Sequence, residues 1–181
     1  EDPISRQPAL QTADQIMAQK GIDITTYRQV AFYDTIFSEL DQSYLLSQPD
    51  GYLNLLKVYQ YEIPAAQWTV WYFQPLQKEE YSIILNSDGS LYSYDHVVPE
   101  DRPGPSLTKE QATKKIEDYL TTEQQLKLND YQLVDAVENK RPARMDYSFS
   151  YKDTTYDLGE GYLEASADLV GDEPTYYVKM L

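Results

Sequence analysis

From Gln67 to Phe73 apolar and aromatic side chains fill both parities of the chain. Trp68, Val70 and Tyr72 share one parity; Thr69, Trp71 and Phe73 share the other. β-Branched and aromatic residues at this density suit a pleated surface and predict a strand. Glu80–Leu85 and Ser90–His96 repeat the pattern. Between them Asn86-Ser87-Asp88-Gly89 is a hairpin turn, in which Gly89 can take a positive φ. The three runs predict an antiparallel meander.

Elsewhere the spacing changes from two to three and four. Residues 1–8, with Pro3 and Pro8, read as a tether. Leu10, Ala13, Ile16 and Met17 predict a short helix over 11–20, closed by Gly21. A short strand follows at Tyr27–Tyr33. Asp34 then reads as the N-cap of a helix running to about Leu46, with Ile36, Phe37, Leu40 and Tyr44 as its apolar face. After Pro49-Asp50-Gly51 a further helix is expected over Tyr52–Tyr59, with Leu53 and Leu56 inward and Tyr52 and Tyr59 as candidates for the same face.

Pro99 to Pro105 holds three prolines and a glycine, which neither a strand nor a helix accommodates. Thr108 with Gln111 three residues later is a capping box, and Leu107 can staple to Ala112. The helix this opens runs to about Leu120, with Ala112, Ile116, Tyr119 and Leu120 inward. Then the order of the first half returns: a short strand from Tyr131, an alternating run Met145–Tyr151, another at Tyr162–Val170, a Gly171-Asp172 turn, and Thr175–Leu181. The expected fold class is therefore α+β, with two repeated helix-plus-antiparallel-sheet units. Residues 1–98 form the first, with a helical insertion at about 35–59. Residues 99–106 are a Pro-rich linker, and 107–181 form the second unit. A short basic loop, Lys140-Arg141-Pro142-Ala143-Arg144, takes the place of the insertion.

Composition narrows the functional classes. The net charge of −15 on 181 residues repels phosphate backbones and anionic headgroups, so neither nucleic acid nor direct membrane insertion is expected. There is no cysteine and a single histidine, so no cofactor or metal is expected. No stretch reaches the length of an apolar membrane helix. The chain starts at Glu1 and stops within a strand-like run, as expected of a piece of a longer protein.

Few residues carry candidate chemistry. Asp95-His96 is the one place for a general base, but a nucleophile or second acid beside it is not apparent; a strand-end histidine also serves structure. Asn86–Ser90 fits a turn better than a calcium loop, since the twelfth position is Val97 rather than a bidentate Glu. Trp68 and Trp71 have opposite parity, so a regular strand cannot bury both on one face. Trp71 is a candidate binding aromatic on that ground, and Lys140, Arg141 and Arg144 are a basic island for an acidic contact on a partner. The candidate binding residues are thus Trp71, His96, Lys140, Arg141 and Arg144, with no catalytic set.

Several strings together carry a resemblance: F-Q-P-L-Q-K-E-E-Y (73–81), Y-D-H-V-V-P-E-D-R-P-G (94–104), L-T-K-E-Q-A (107–112), K-R-P-A-R-M-D-Y-S-F-S-Y (140–151) and Y-L-E-A-S-A-D-L-V-G-D-E (162–173). They resemble the soluble N-terminal region of bacterial CPBP-family membrane proteins, the CAAX amino-terminal protease or abortive-infection intramembrane metalloproteases. The helix-plus-sheet repeats are also similar in pattern to PepSY-like or cystatin-like modules. That family's Glu-Glu-x-x-x-Arg motif is not met here, because Glu79-Glu80 is followed by Ile84 at the arginine position. The resemblance implies a non-catalytic accessory domain, tethered on the extracytoplasmic side of a bacterial membrane. Its partners would be the parent membrane domain and peptide or protein substrates. The alternative is a free-standing secreted or periplasmic module that binds peptide or glycan.

Overall fold

A computed structural model describes residues 3–35 and 38–181. The fold is α+β, and the chain divides into two compact units, Glu1–Val97 and Val98–Leu181. Each sets a helix before four antiparallel strands that pair in sequential order.

In the first unit, helix α1 spans Arg6–Gln19 and precedes strands β1 (Arg28–Thr35), β2 (Ala66–Phe73), β3 (Glu80–Asn86) and β4 (Leu91–Val97). Residues 1–8 are not simply a tether. Arg6 to Pro8 form the first turn of α1, where a proline costs little because the first amide groups have no intrahelical acceptor. The Ile4 amide donates to the Ser87 carbonyl, and Trp68 Nε1 donates to the Ile4 carbonyl at 2.9 Å. The helix lays Ala9, Ala13 and Met17, four residues apart, onto Val70, Tyr72, Tyr81, Ile83, Leu85 and Tyr94. Two alanines in that stripe let the helix sit close to a sheet face built from large side chains.

The insertion between β1 and β2 departs from the expected pattern. Asp34 lies within β1, opposite Gln67, and is not a helix cap. Helix α2 spans Glu39–Ser47 and is capped by the Ser38 hydroxyl, which accepts from the Asp41 amide. Ile36 and Phe37, expected on its apolar face, lie outside the described residues, and Leu40 is exposed. Helix α3 spans Gly51–Lys57 and widens into a π-helical turn at Val58–Glu62. The buried residues of this stretch are Gly51, Asn54 and Val58, while Tyr52, Leu53 and Leu56 face outward. The reason is close approach. A Cβ on Gly51 would stand 2.2 Å from the Leu45 carbonyl oxygen, so the helix turns its smallest residue, not its leucines, towards α2.

The second unit follows expectation more closely. Helix α4 (Lys109–Thr122) opens with the Thr108–Gln111 capping box and buries Ala112, Ile116, Tyr119 and Leu120. They pack on Tyr147, Phe149, Tyr151, Ala165, Ala167, Leu169 and Tyr177 of strands β6 (Arg144–Asp153), β7 (Glu164–Val170) and β8 (Glu173–Met180). Strand β5 is longer than expected, at Tyr131–Arg141. The basic loop shrinks accordingly to the two-residue turn Pro142-Ala143, with Lys140 and Arg141 on β5 and Arg144 on β6.

Candidate functional site

Pairing decides which side chains meet. On the face of the first sheet away from α1, Val30 and Phe32 of β1 stand opposite Trp71 and Thr69 of β2, and Arg28 stands opposite Phe73. The Trp71 and Phe73 rings stack with centroids 4.6 Å apart, and Trp71 Nε1 donates to Glu80 Oε2 at 3.1 Å. Val30 is 40% exposed and Phe32 46%. Four apolar side chains on two adjacent strands thus form an outward stripe with a carboxylate at its margin. Trp68 has gone to the other face, where it tilts against Tyr33 and packs with the core.

His96 lies on the α1 face, opposite Tyr81, so it and Trp71 share no site. Its side chain is 3% exposed. Nε2 lies 2.8 Å from Glu79 Oε1, which also accepts from the Tyr81 hydroxyl at 3.1 Å, and the imidazole stacks on the Tyr81 ring at 4.1 Å. Alternation along β4 turns Asp95 to the opposite face. The arrangement fixes the imidazole between a carboxylate and an aromatic ring, away from solvent. Substrate has no open approach to it.

The basic island is divided as well. Arg144 is buried: Nε donates to Asp146 Oδ1 at 2.8 Å, and Nη1 donates to the Pro99 and Arg102 carbonyls. Arg141 reaches the other oxygen of Asp146 at 3.2 Å and Glu100 at 2.9 Å. The Gly171 amide donates to Asp146 Oδ1 at 3.0 Å. Lys140 is exposed on β5. Arg144 therefore holds the segment 99–104 against the β5–β6 hairpin, and the expected linker is built into the second unit. Beside this network Asp168 of β7 stands opposite Ser148. Burial raises the Asp168 pKa, a hydrogen bond from Ser148 opposes the shift, and the charge of Asp146 adds to it. Among the described residues no group of three His, Asp or Glu side chains converges to hold a metal ion. No described helix is long and apolar enough to cross a membrane.

The fold has a counterpart. The chain is similar in structure to the Bacillus megaterium YpeB C-terminal domain, with a TM-score of 0.50 and 10% sequence identity. The match covers 98% of this chain and spans 64% of that one. At this identity the likeness is one of fold. No family model and no curated protein matches the chain. The likeness supports the α+β architecture.

Val30, Phe32 and Phe73 were not distinguishable as partners of Trp71 in the sequence, nor Glu79 as the partner of His96, nor Asp146 as the acceptor for both arginines. The alternation of apolar residues at Val30 and Phe32 was the available signal. What it lacked was the register that places β1 beside β2 across residues 36–65.

Proposed function

We propose that this chain is a non-catalytic accessory module that binds a polypeptide segment through the outer face of its first unit. The observation that carries this reading is a division of labour. The outward apolar stripe has Val30 and Phe32 exposed and Trp71 and Phe73 half-buried beside them, whereas His96, the candidate acid or base, is buried between Glu79 and Tyr81. Outward apolar side chains on adjacent strands suit recognition. A fixed, inaccessible imidazole suits packing. The fold likeness to the YpeB C-terminal domain is compatible with such a role.

In the fuller form of the proposal, the module sits on the extracytoplasmic side of a bacterial membrane, tethered to a membrane protease of the kind its strings resemble. There it meets substrate or restrains the membrane domain. Its net charge opposes adsorption to anionic lipid. The test is to delete residues 1–181 from the parent, and separately to introduce Trp71→Ala. Both should alter substrate choice or regulation while cleavage of a minimal substrate persists. Hydrolysis by the isolated chain that vanishes in His96→Ala would overturn the proposal, as would a reading frame with no membrane-spanning segment for its tethered form.

A further inference from the structure

We infer that β1 is a docking edge for an extended basic peptide, which adds to the first sheet as a further strand beside it. The inference rests on the binding-module reading and specifies its partner. β1 is the edge of that sheet, with β2 on one side only. It pairs over eight residues without a register shift, and all of them but Ala31 are exposed. Among the described residues no main-chain hydrogen bond joins β1 to any segment besides β2. Proteins blunt such an edge with bulges, prolines or central charges because it templates strand addition. β5, the corresponding edge of the second sheet, is blunted in this way. It has a register shift between Leu133 and Asp135, and Asp135, Glu138 and Lys140 lie along it. β1 has neither device; Arg28 and Asp34 are its charged residues, near its two ends.

The two faces beside this edge define the occupant. On one side Val30 and Phe32, backed by Trp71 and Phe73, would receive every second side chain of an added strand. On the other side Gln29 donates to Asp14 of α1, which also accepts from the Tyr72 hydroxyl at 2.8 Å, so the intervening side chains would face a carboxylate. The complementary peptide alternates apolar with Lys or Arg. Charge also chooses between partners. A second copy of this chain would bring −15 against −15, whereas a cationic segment gains long-range attraction.

The test uses the whole chain and a fluorescein-labelled peptide of eight alternating Val and Lys residues, read by anisotropy. A Val–Glu peptide is the control, and two further peptides carry N-methyl groups on every Val or on every Lys. In an added strand only alternate amides face β1. One methylated peptide should therefore lose affinity by about tenfold or more while the other keeps it. Val–Lys affinity should fall with salt, and Val–Glu should bind about tenfold more weakly or not at all. Val30→Lys with Phe32→Lys should weaken binding similarly. Because methylation leaves the protein untouched, the result does not depend on that variant's folding. Equal binding of both methylated peptides, no binding of Val–Lys, or self-association of the chain through β1 would overturn the inference. Binding that ignores methylation yet is lost in Trp71→Ala would overturn strand addition alone. Cleavage of the peptide by the chain would overturn the accessory reading instead.

Discussion

Asp146→Ala should unfold the second unit far more readily than its small change in volume suggests. The Asp146 side chain is 8% exposed, and it accepts from Arg144, from Arg141 and from the Gly171 amide. Removing it strands the Arg144 guanidinium, on a side chain 3% exposed, with the Pro99 and Arg102 carbonyls as its remaining partners among the described residues. Breaking a buried pair by deleting one member costs about 3–5 kcal/mol, most of it the burden of the uncompensated charge. Arg141→Ala should cost about 1 kcal/mol or less, since that side chain is 36% exposed and Asp146 keeps Arg144 and the Gly171 amide as donors. Arg144→Met combined with Asp146→Leu should be milder than Asp146→Ala alone, because no charge is left buried. Urea titration followed by far-UV circular dichroism gives the stabilities, and hydrogen exchange along β6 localises the change. Asp146→Ala within about 1 kcal/mol of the unsubstituted chain, or a double variant worse than the sum of its singles, would refute the reasoning.

Three further outcomes follow from single contacts. Asp168→Asn should raise the urea midpoint at neutral pH. Its pKa is raised in the fold, so the ionised form is the disfavoured one; the unfavourable contribution is present above the folded pKa and fades as pH falls through it to below the ordinary carboxylate value of 3.8. The gain from Asn should therefore shrink over that acid window, and a gain that grows on acidification would contradict it. Thr108→Ala should cost about 1 kcal/mol in chemical denaturation and Thr108→Ser much less, because the hydroxyl accepting from the Gln111 amide is retained. Tyr72→Phe should cost about 1 kcal/mol by the same assay through loss of the hydrogen bond to Asp14, with exchange of α1 amides accelerated.

The parts of the fold that were legible in the sequence are those decided locally. The Thr108–Gln111 capping box, the apolar face of α4 and the Asn86–Gly89 turn involve residues a few positions apart, and the structure has them where the pattern places them. α3 was not legible, because its buried face is set by Gly51 meeting the Leu45 carbonyl, a contact between two helices in which size outranks hydrophobicity. Asp34 resembles a helix cap by type, yet pairing with β2 keeps it in a strand; tertiary hydrogen bonds outweighed a weak local preference. The basic island shows the same limit at a site. Spacing identified Arg141 and Arg144 as cations. It could not show that Asp146, two residues on along β6, consumes both.

The unequal β1–β2 and β5–β6 connections imply different orders of assembly. In the second unit two residues, Pro142 and Ala143, join the first pair of strands, so the hairpin can zip from its turn at little entropic cost. In the first unit the same pair is closed across residues 36–65. Closing the longer connection costs more chain entropy than closing the two-residue turn. The short β2–β3 and β3–β4 turns are therefore expected to close first in the first unit, with β1 joining after them. In the second unit β5 belongs among the early strands. One repeated architecture is thus expected to follow two folding routes, with the strand proposed to receive a peptide being the one its own sheet acquires last.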